Sequence, residues 1–343
     1  MSSRTRPTSA ATRTARRRAD GVKAAAAAAL LLLAGCLSQD EQDRLGVFRY
    51  NAKAYYDAGD YARAEDQCRR GLQIDDEDES LMLQLAYSLL LQATPAKLEE
   101  AAARFADGVG PFGSDDWRLR LGHGMTLQQL ARVRAAAREA SPEKTVEPRR
   151  DEAAELRRTA RAELEAAEES SIEGRNPQPE IAYHLALLDL DEARSDLFPV
   201  HAEQAIARLR ERAKLLDVEL RQPMGVKERE RTERDRTVNA ERGQRIAREA
   251  ARLAWETGDW KKASQAMDAL DSFGPLARAD FYDRARIREQ SGDAEGAVRD
   301  LEKFITFGAD TVDETVTRAV ESLTRLRAAL AERRTAAPLS AGR

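Results

Sequence analysis

Cysteine, histidine and aromatic residues are scarce in this chain, and each shortage removes a class of function. Two cysteines, Cys36 and Cys68, allow at most one disulfide, so no disulfide framework holds the fold. The three histidines, His123, His184 and His201, never take the two-histidine helical spacing of zinc hydrolases, and read as surface or packing residues. No glycine-rich phosphate loop, nucleophile elbow or cysteine pair occurs, and Gly122-His123-Gly124 matches no catalytic signature. The acidic run Asp75 to Glu79 lacks the alternating ligands and the glycine of a calcium loop. It reads as a turn feeding the next helix N-terminus, where the dipole favours negative charge. The sequence therefore describes a protein that is not an enzyme and needs no metal or cofactor. Aromatic residues are 5% of the chain, and β-branched residues never alternate over a strand length, which excludes a sheet. Long apolar runs are missing too: the longest, Ala24 to Ala34, is half of the ~20 residues that span a bilayer.

That short run is informative for what surrounds it. Arg4, Arg6, Arg13, Arg16, Arg17, Arg18 and Lys23 precede it, and Leu33-Ala34-Gly35-Cys36 closes it. A basic head, a short apolar stretch and small residues before a cleavage point make a targeting segment rather than a core helix. The last four residues resemble the lipobox of bacterial lipoproteins. The resemblance implies acylation of the Cys36 thiol, removal of residues 1–35 as a signal peptide exported by the Sec route, and a mature chain tethered through residues 36–40. Leu37, standing where an aspartate would retain the protein, resembles the outer-membrane sorting pattern, so the periplasmic face of the outer membrane is the expected location. Without residues 1–35 the net charge falls from −4 to −10. An acidic protein lacks the excess of cations that nucleic acid requires.

The body is rich in alanine, leucine, glutamate and arginine and carries a period. Gly258-Asp259-Trp260 and Gly292-Asp293-Ala294 lie 34 residues apart, and Gly59-Asp60-Tyr61 repeats the turn near the front. With glycine at place 15, windows 45–78, 244–277 and 278–311 follow. The first holds Phe48, Ala52, Tyr55, Ala64, Cys68, Gly71 and Leu72. The second holds Ala251, Ala263, Met267 and Pro275, and the third Phe281, Ala285, Ala297 and Leu301. A window 79–112 continues from the first, with Thr94-Pro95 read as a short insertion in its turn. These positions resemble tetratricopeptide repeats, in which glycine closes one helix, aspartate caps the next, and small residues let the two approach. The resemblance implies an all-α, helical-hairpin repeat solenoid, a TPR-like superhelix. Arg284 and Arg288 depart from it, since they occupy apolar places of the last window.

Domain organisation follows: tetratricopeptide-like repeats over 41–112, degenerate repeats with extended helices over 113–243, further repeats and a capping helix over 244–335, and a disordered tail over 336–343. In the middle region Leu119 to Ala140 and Arg149 to Ser171 read as long helices, and their length alone leaves open whether residues 125–170 form a protruding arm. Glu180 to Ala193 and Pro199 to Arg221 read as a pair. Lys227 to Arg236, almost without apolar residues, is either a solvated helix extension or a mobile link.

In the family that the repeats resemble, certain first-helix places point into a groove. Carried over, they give Arg49, Lys53 and Tyr56, then Leu83, Tyr87 and Leu90, then Arg245, Arg248, Arg252 and Trp255, and finally Tyr282 and Arg286. Such a groove is basic at both ends and suits an extended acidic or carboxylate-bearing peptide. The asparagines of the carboxylate clamp are absent at the matching places. Anchor plus helical stack is a design similar to the repeat lipoproteins of β-barrel assembly machinery and to pilotins. It implies a noncatalytic envelope scaffold for a membrane-embedded or membrane-adjacent protein. The alternative is a periplasmic module for peptides or cell-wall ligands.

Overall fold

The computed structural model describes residues 37–109, 116–140, 151–174, 177–307 and 314–336. The expected signal segment, the lipobox and Cys36 lie outside them, as do residues 337–343 of the expected tail. Among the described residues there are thirteen α-helices and no strand. They are α1 Gln39–Asp57, α2 Tyr61–Leu72, α3 Glu79–Gln92, α4 Pro95–Val109, α5 Trp117–Glu139, α6 Glu152–Glu173 and α7 Pro179–Asp191. Then follow α8 Phe198–Glu219, α9 Val226–Glu256, α10 Trp260–Leu270, α11 Arg278–Ser291, α12 Ala294–Thr306 and α13 Glu314–Ala336. The chain forms two compact units, one up to Leu91 and one from Gln92 onward. The division falls inside α3.

The repeat turn is built as its sequence dictates. Gly59, Gly258 and Gly292 adopt φ of 79°, 76° and 88°, the left-handed region that a side chain disfavours. The aspartate after each is the N-cap of the next helix, with φ of −87°, −84° and −83° at Asp60, Asp259 and Asp293. Their carboxylates accept from the backbone N–H of Arg63, Lys262 and Gly296. Each aspartate N–H also reaches back five residues, Asp60 to the Tyr55 carbonyl, Asp259 to Ala254 and Asp293 to Arg288, which satisfies the helix end that glycine opens.

Two further turns adopt the left-handed region without glycine. Ala93, one 34-residue period after Gly59, has φ of 56°, and Ala193 between α7 and α8 has φ of 54°. Arg194 donates to the Asp189 carbonyl at 2.8 Å, the same five-residue reach. The expected insertion at Thr94-Pro95 is therefore absent. Ala93 holds the glycine place, the Leu98 N–H donates to the Thr94 carbonyl, and Pro95 opens α4 where a missing N–H does no harm.

In the first unit, Leu45, Ala52, Ala64, Cys68, Leu81, Leu85, Ala86 and Leu89 form the interior. Burial pushes the Cys68 thiol up to about 12, helped by Asp78 and Glu65, so it stays protonated. In the second unit α5 and α6 are the long helices expected, with Ala160, Leu164 and Ala167 fully buried along one edge of α6. The Gly122-His123-Gly124 segment is a packing device. Gly122 lies against the Phe105 ring and Gly124 against Leu164, where a β-carbon would collide. His123 faces Glu163 at 3.3 Å.

The α7–α8 pair buries Ala182 and Ala186 with Ala205 and Leu209, as its pattern predicts. Helix α9 resolves the choice left open for residues 227–236: it is one continuous 31-residue helix. Arg236 fastens its charged half by donating to Asp217 at 2.9 Å and to the Phe273 carbonyl at 3.2 Å, and Asn239 donates to the Leu209 carbonyl at 2.9 Å.

Arg284 and Arg288, the misfits of the last window, are interior cations with a shared counter-ion. Arg284 and Asp300 are 4% and 1% exposed and pair through two bonds of 2.8 and 2.7 Å. Arg288 reaches the same carboxylate at 2.8 Å, and Asp271 takes the remaining Arg284 arm at 2.6 Å. Burial alone lowers the pKa of such a guanidinium, but these carboxylates outweigh it and raise it.

A candidate partner cleft between α9 and α11

In the first unit, Arg49 donates to Asp78 at 2.5 Å, tying the first repeat to the residue that caps the next. Asp78 itself accepts from the Leu81 N–H at 3.0 Å, so the acidic run feeds the helix start as its sequence suggests. Lys53 pairs with Asp57 at 2.8 Å within α1. Tyr56 meets Tyr61 edge to face across the glycine turn, with ring centroids 5.5 Å apart. Leu83 and Tyr87 are half-buried on α3, and Leu90, expected on the groove wall, is fully buried in the interior instead.

The second unit brings four of the expected residues together. Arg248, Arg252, Trp255 and Arg286 line one cleft of about 310 Å³, over a floor of Ala251, Met267 and Ile287. Helices α9 and α11 place them: places 5, 9 and 12 of one repeat face place 9 of the next. Tyr282 joins through Arg286, whose guanidinium lies 4.8 Å over the Trp255 ring and 5.9 Å from that of Tyr282. Trp255 is braced edge to face by Trp260, at 4.8 Å, as Tyr56 is by Tyr61. Arg245 is exposed on α9.

The charge balance of this cleft differs from the expected basic groove. Arg248 forms a two-pronged pair with Asp280, at 2.7 and 2.9 Å. The Asp280 bond leads the causes that raise the Arg248 pKa. Burial pushes Asp280 up, but Arg248 and the Ala277 N–H outweigh it and hold the carboxyl below its ordinary value. Arg252 is held by Glu249 and Glu256, at 2.9 and 2.7 Å. Counting Asp283, the lining carries three arginines against four carboxylates. Glu249 and Glu256 stand three and four residues from Arg252 on the same helix, where spacing alone pairs them, whereas the Arg248 counter-ion Asp280 lies one turn inside the following repeat and shows in no spacing within α9. Arg286 is the exception, a cation on aromatic faces that forms no ion pair within 4 Å among the described residues, although Asp283 one turn before it feels its charge. A fork of this kind can receive a carboxylate while the Met267 and Ile287 floor takes an apolar side chain.

The histidines also find structural places. His184 is buried, its Nδ1 2.9 Å from the Gln128 amide oxygen, and burial, with Arg242 and Arg132 nearby, lowers its pKa to about 3. His201 meets the fully buried Asp189 at 2.5 Å, which Arg161 also contacts at 2.7 Å. Among the described residues no cluster of His, Cys, Asp or Glu is placed to hold a metal ion, and no helix is long and apolar enough to cross a membrane.

No family model matches this chain, and no curated protein matches it in sequence. Solved structures of similar arrangement include pilF of Pseudomonas aeruginosa, at 12% identity over 85% of this chain and 100% of that one, TM-score 0.49. PilW, a type IV pilus biogenesis factor, aligns at 13% identity over 82% and 99%, TM-score 0.48. YrrB, a tetratricopeptide repeat protein with an unusual peptide-binding site, aligns at 14% identity over 74% and 97%, TM-score 0.41. The fold class of this chain rests on its own turns, caps and packing: it is all-α, built of helical-hairpin repeats.

Proposed function

We propose that this protein is a noncatalytic, lipid-anchored scaffold of the bacterial cell envelope that engages a protein partner through the α9–α11 cleft. The observation that carries the binding half is Arg286, whose guanidinium lies over Trp255 and beside Tyr282 above an apolar floor, with Asp283 nearby but not in direct ion-pair contact. The anchoring half is supported by the sequence alone, in the run that ends at Cys36. Two acyl chains hold a protein stably where one is marginal. Helix α1 begins at Gln39, so at about 3.5 Å per residue the tether is roughly 10 Å long. The first repeat is thereby held beside the membrane, with the periplasmic face of the outer membrane the favoured site, and the partner of this scaffold is a protein embedded in that membrane or lying beside it.

The two halves are tested separately. Labelled palmitate is expected in the wild-type chain and not in Cys36→Ser; its absence from both removes the anchor. A photo-crosslinking residue at position 255 is expected to join one envelope protein, with yield lost in Arg286→Glu. Crosslinks only to glycan or free peptides overturn the scaffold reading.

A further inference from the structure

We infer that the outer face of α1 is a docking surface for an amphipathic helix of a partner protein whose apolar stripe is flanked by basic residues at both ends. Place 3 of every later window is covered by the hairpin before it: Leu81 lies against Gly71, Ile246 against Ala202, Ala205 and Leu209, and Asp280 is buried on Arg248. Place 10 behaves likewise, with Ser88 buried and Ile287 packed on Ala247, Ala251 and Met267. In the first window these places are Val47 and Ala54. Val47 is 57% exposed, Ala54 is exposed, and Tyr50 between them is 71% exposed. Among the described residues nothing covers this stripe, and Gly46 beside it has no neighbour within 4 Å of where a β-carbon would stand. Terminal repeats of soluble stacks close with a polar outer face, and this one does not. The shape it presents is the one each later repeat offers to a helix.

Charge selects the occupant. Residues 43, 47, 50, 54 and 57 share one helix face, so the stripe ends in Asp43 and in Asp57. Asp43 accepts from the Gln39 amide, and Asp57 from Lys53. A second copy laid antiparallel about Tyr50 sets Asp43 against the other chain's Asp57, and a parallel copy sets each acid against its twin. Like charges of this kind oppose a symmetric dimer. A helix with Lys or Arg about 14 residues apart, on either side of a three-turn apolar stripe, meets both ends at once.

The probes are two stapled helical peptides with one apolar stripe, ending in lysines or in glutamates, titrated onto the folded chain by fluorescence anisotropy. The lysine-ended peptide is expected to bind at least tenfold more tightly than the glutamate-ended one. Val47→Glu is expected to abolish that binding, and Asp43→Lys with Asp57→Lys to reverse the preference, while circular dichroism stays unchanged. Arg286→Glu is expected to leave it intact, which separates this face from the α9–α11 cleft. Equal binding of both peptides, retention in Val47→Glu, or a dimer in sedimentation that Val47→Glu dissolves would overturn the inference. So would binding to phosphatidylglycerol vesicles in place of either peptide.

Discussion

Removing the Asp300 carboxylate tests the account of the last hairpin most directly. Asp300 is 1% exposed and serves two arginines, three bonds in all at 2.7 to 2.8 Å. In Asp300→Ala, Arg284 remains 4% exposed with Asp271, itself largely in solvent, as its remaining ion-pair partner. Breaking a buried pair on one side costs ~3–5 kcal/mol, because the surviving charge stays out of water. The double replacement Arg284→Met with Asp300→Leu removes the buried pair and keeps the volume, and because Arg288 retains Asp268 at 2.5 Å it is expected to recover most of that loss, to within about 1 kcal/mol of wild type. Urea unfolding of the chain from residue 37, read with hydrogen exchange in α11 and α12, measures both. The single variant should lose protection across these helices while α5 and α6 keep theirs. A loss below ~1 kcal/mol in Asp300→Ala, or a double variant worse than the single, would refute the reasoning.

Three further outcomes are expected. Ala193→Gly relieves a left-handed alanine worth ~1 kcal/mol and should raise the melting temperature, whereas Gly258→Ala should lower it by a similar free energy; opposite signs are the check. His184, at about 3 when folded against 6.5 when free, binds its proton more readily in the unfolded chain. Its contribution is complete above pH 6.5 and declines as pH falls toward 3, so the melting temperature should drop across that window, and His184→Gln should flatten the drop. Cys68, raised to about 12, should resist iodoacetamide at pH 8 in the folded chain and react fully in guanidinium; reaction in the native state would show that the first repeat opens.

How much was legible in the sequence varied with where the information lay. The three Gly-Asp turns could be found because local steric preference writes them into adjacent residues. Ala93 and Ala193 take the same left-handed conformation, but an alanine at positive φ carries no local signature. The role of Arg284 and Arg288 was out of reach for a different reason. Their partner Asp300 lies on the next helix, and a one-dimensional pattern shows only that two cations stand in apolar places. The candidate cleft was half legible: repeat position assigned Arg248, Arg252, Trp255 and Arg286 to one face, and helical spacing alone sets Glu249 and Glu256 beside Arg252, while the neutralising role of Asp280 needed the packed helices.

Helix α9 belongs to two hairpins at once, its first half fastened to α8 by Arg236 and Asn239 and its second half forming the wall of the cleft. Its 31 residues make a rod of about 46 Å with no proline, so no loop hinge separates the middle of the chain from its late repeats. The two regions are phased by helical twist. One residue inserted between Asn239 and Gly243 would swing everything downstream through about 100°, carrying Trp255 off its present bearing without disturbing a single apolar contact within α11 and α12.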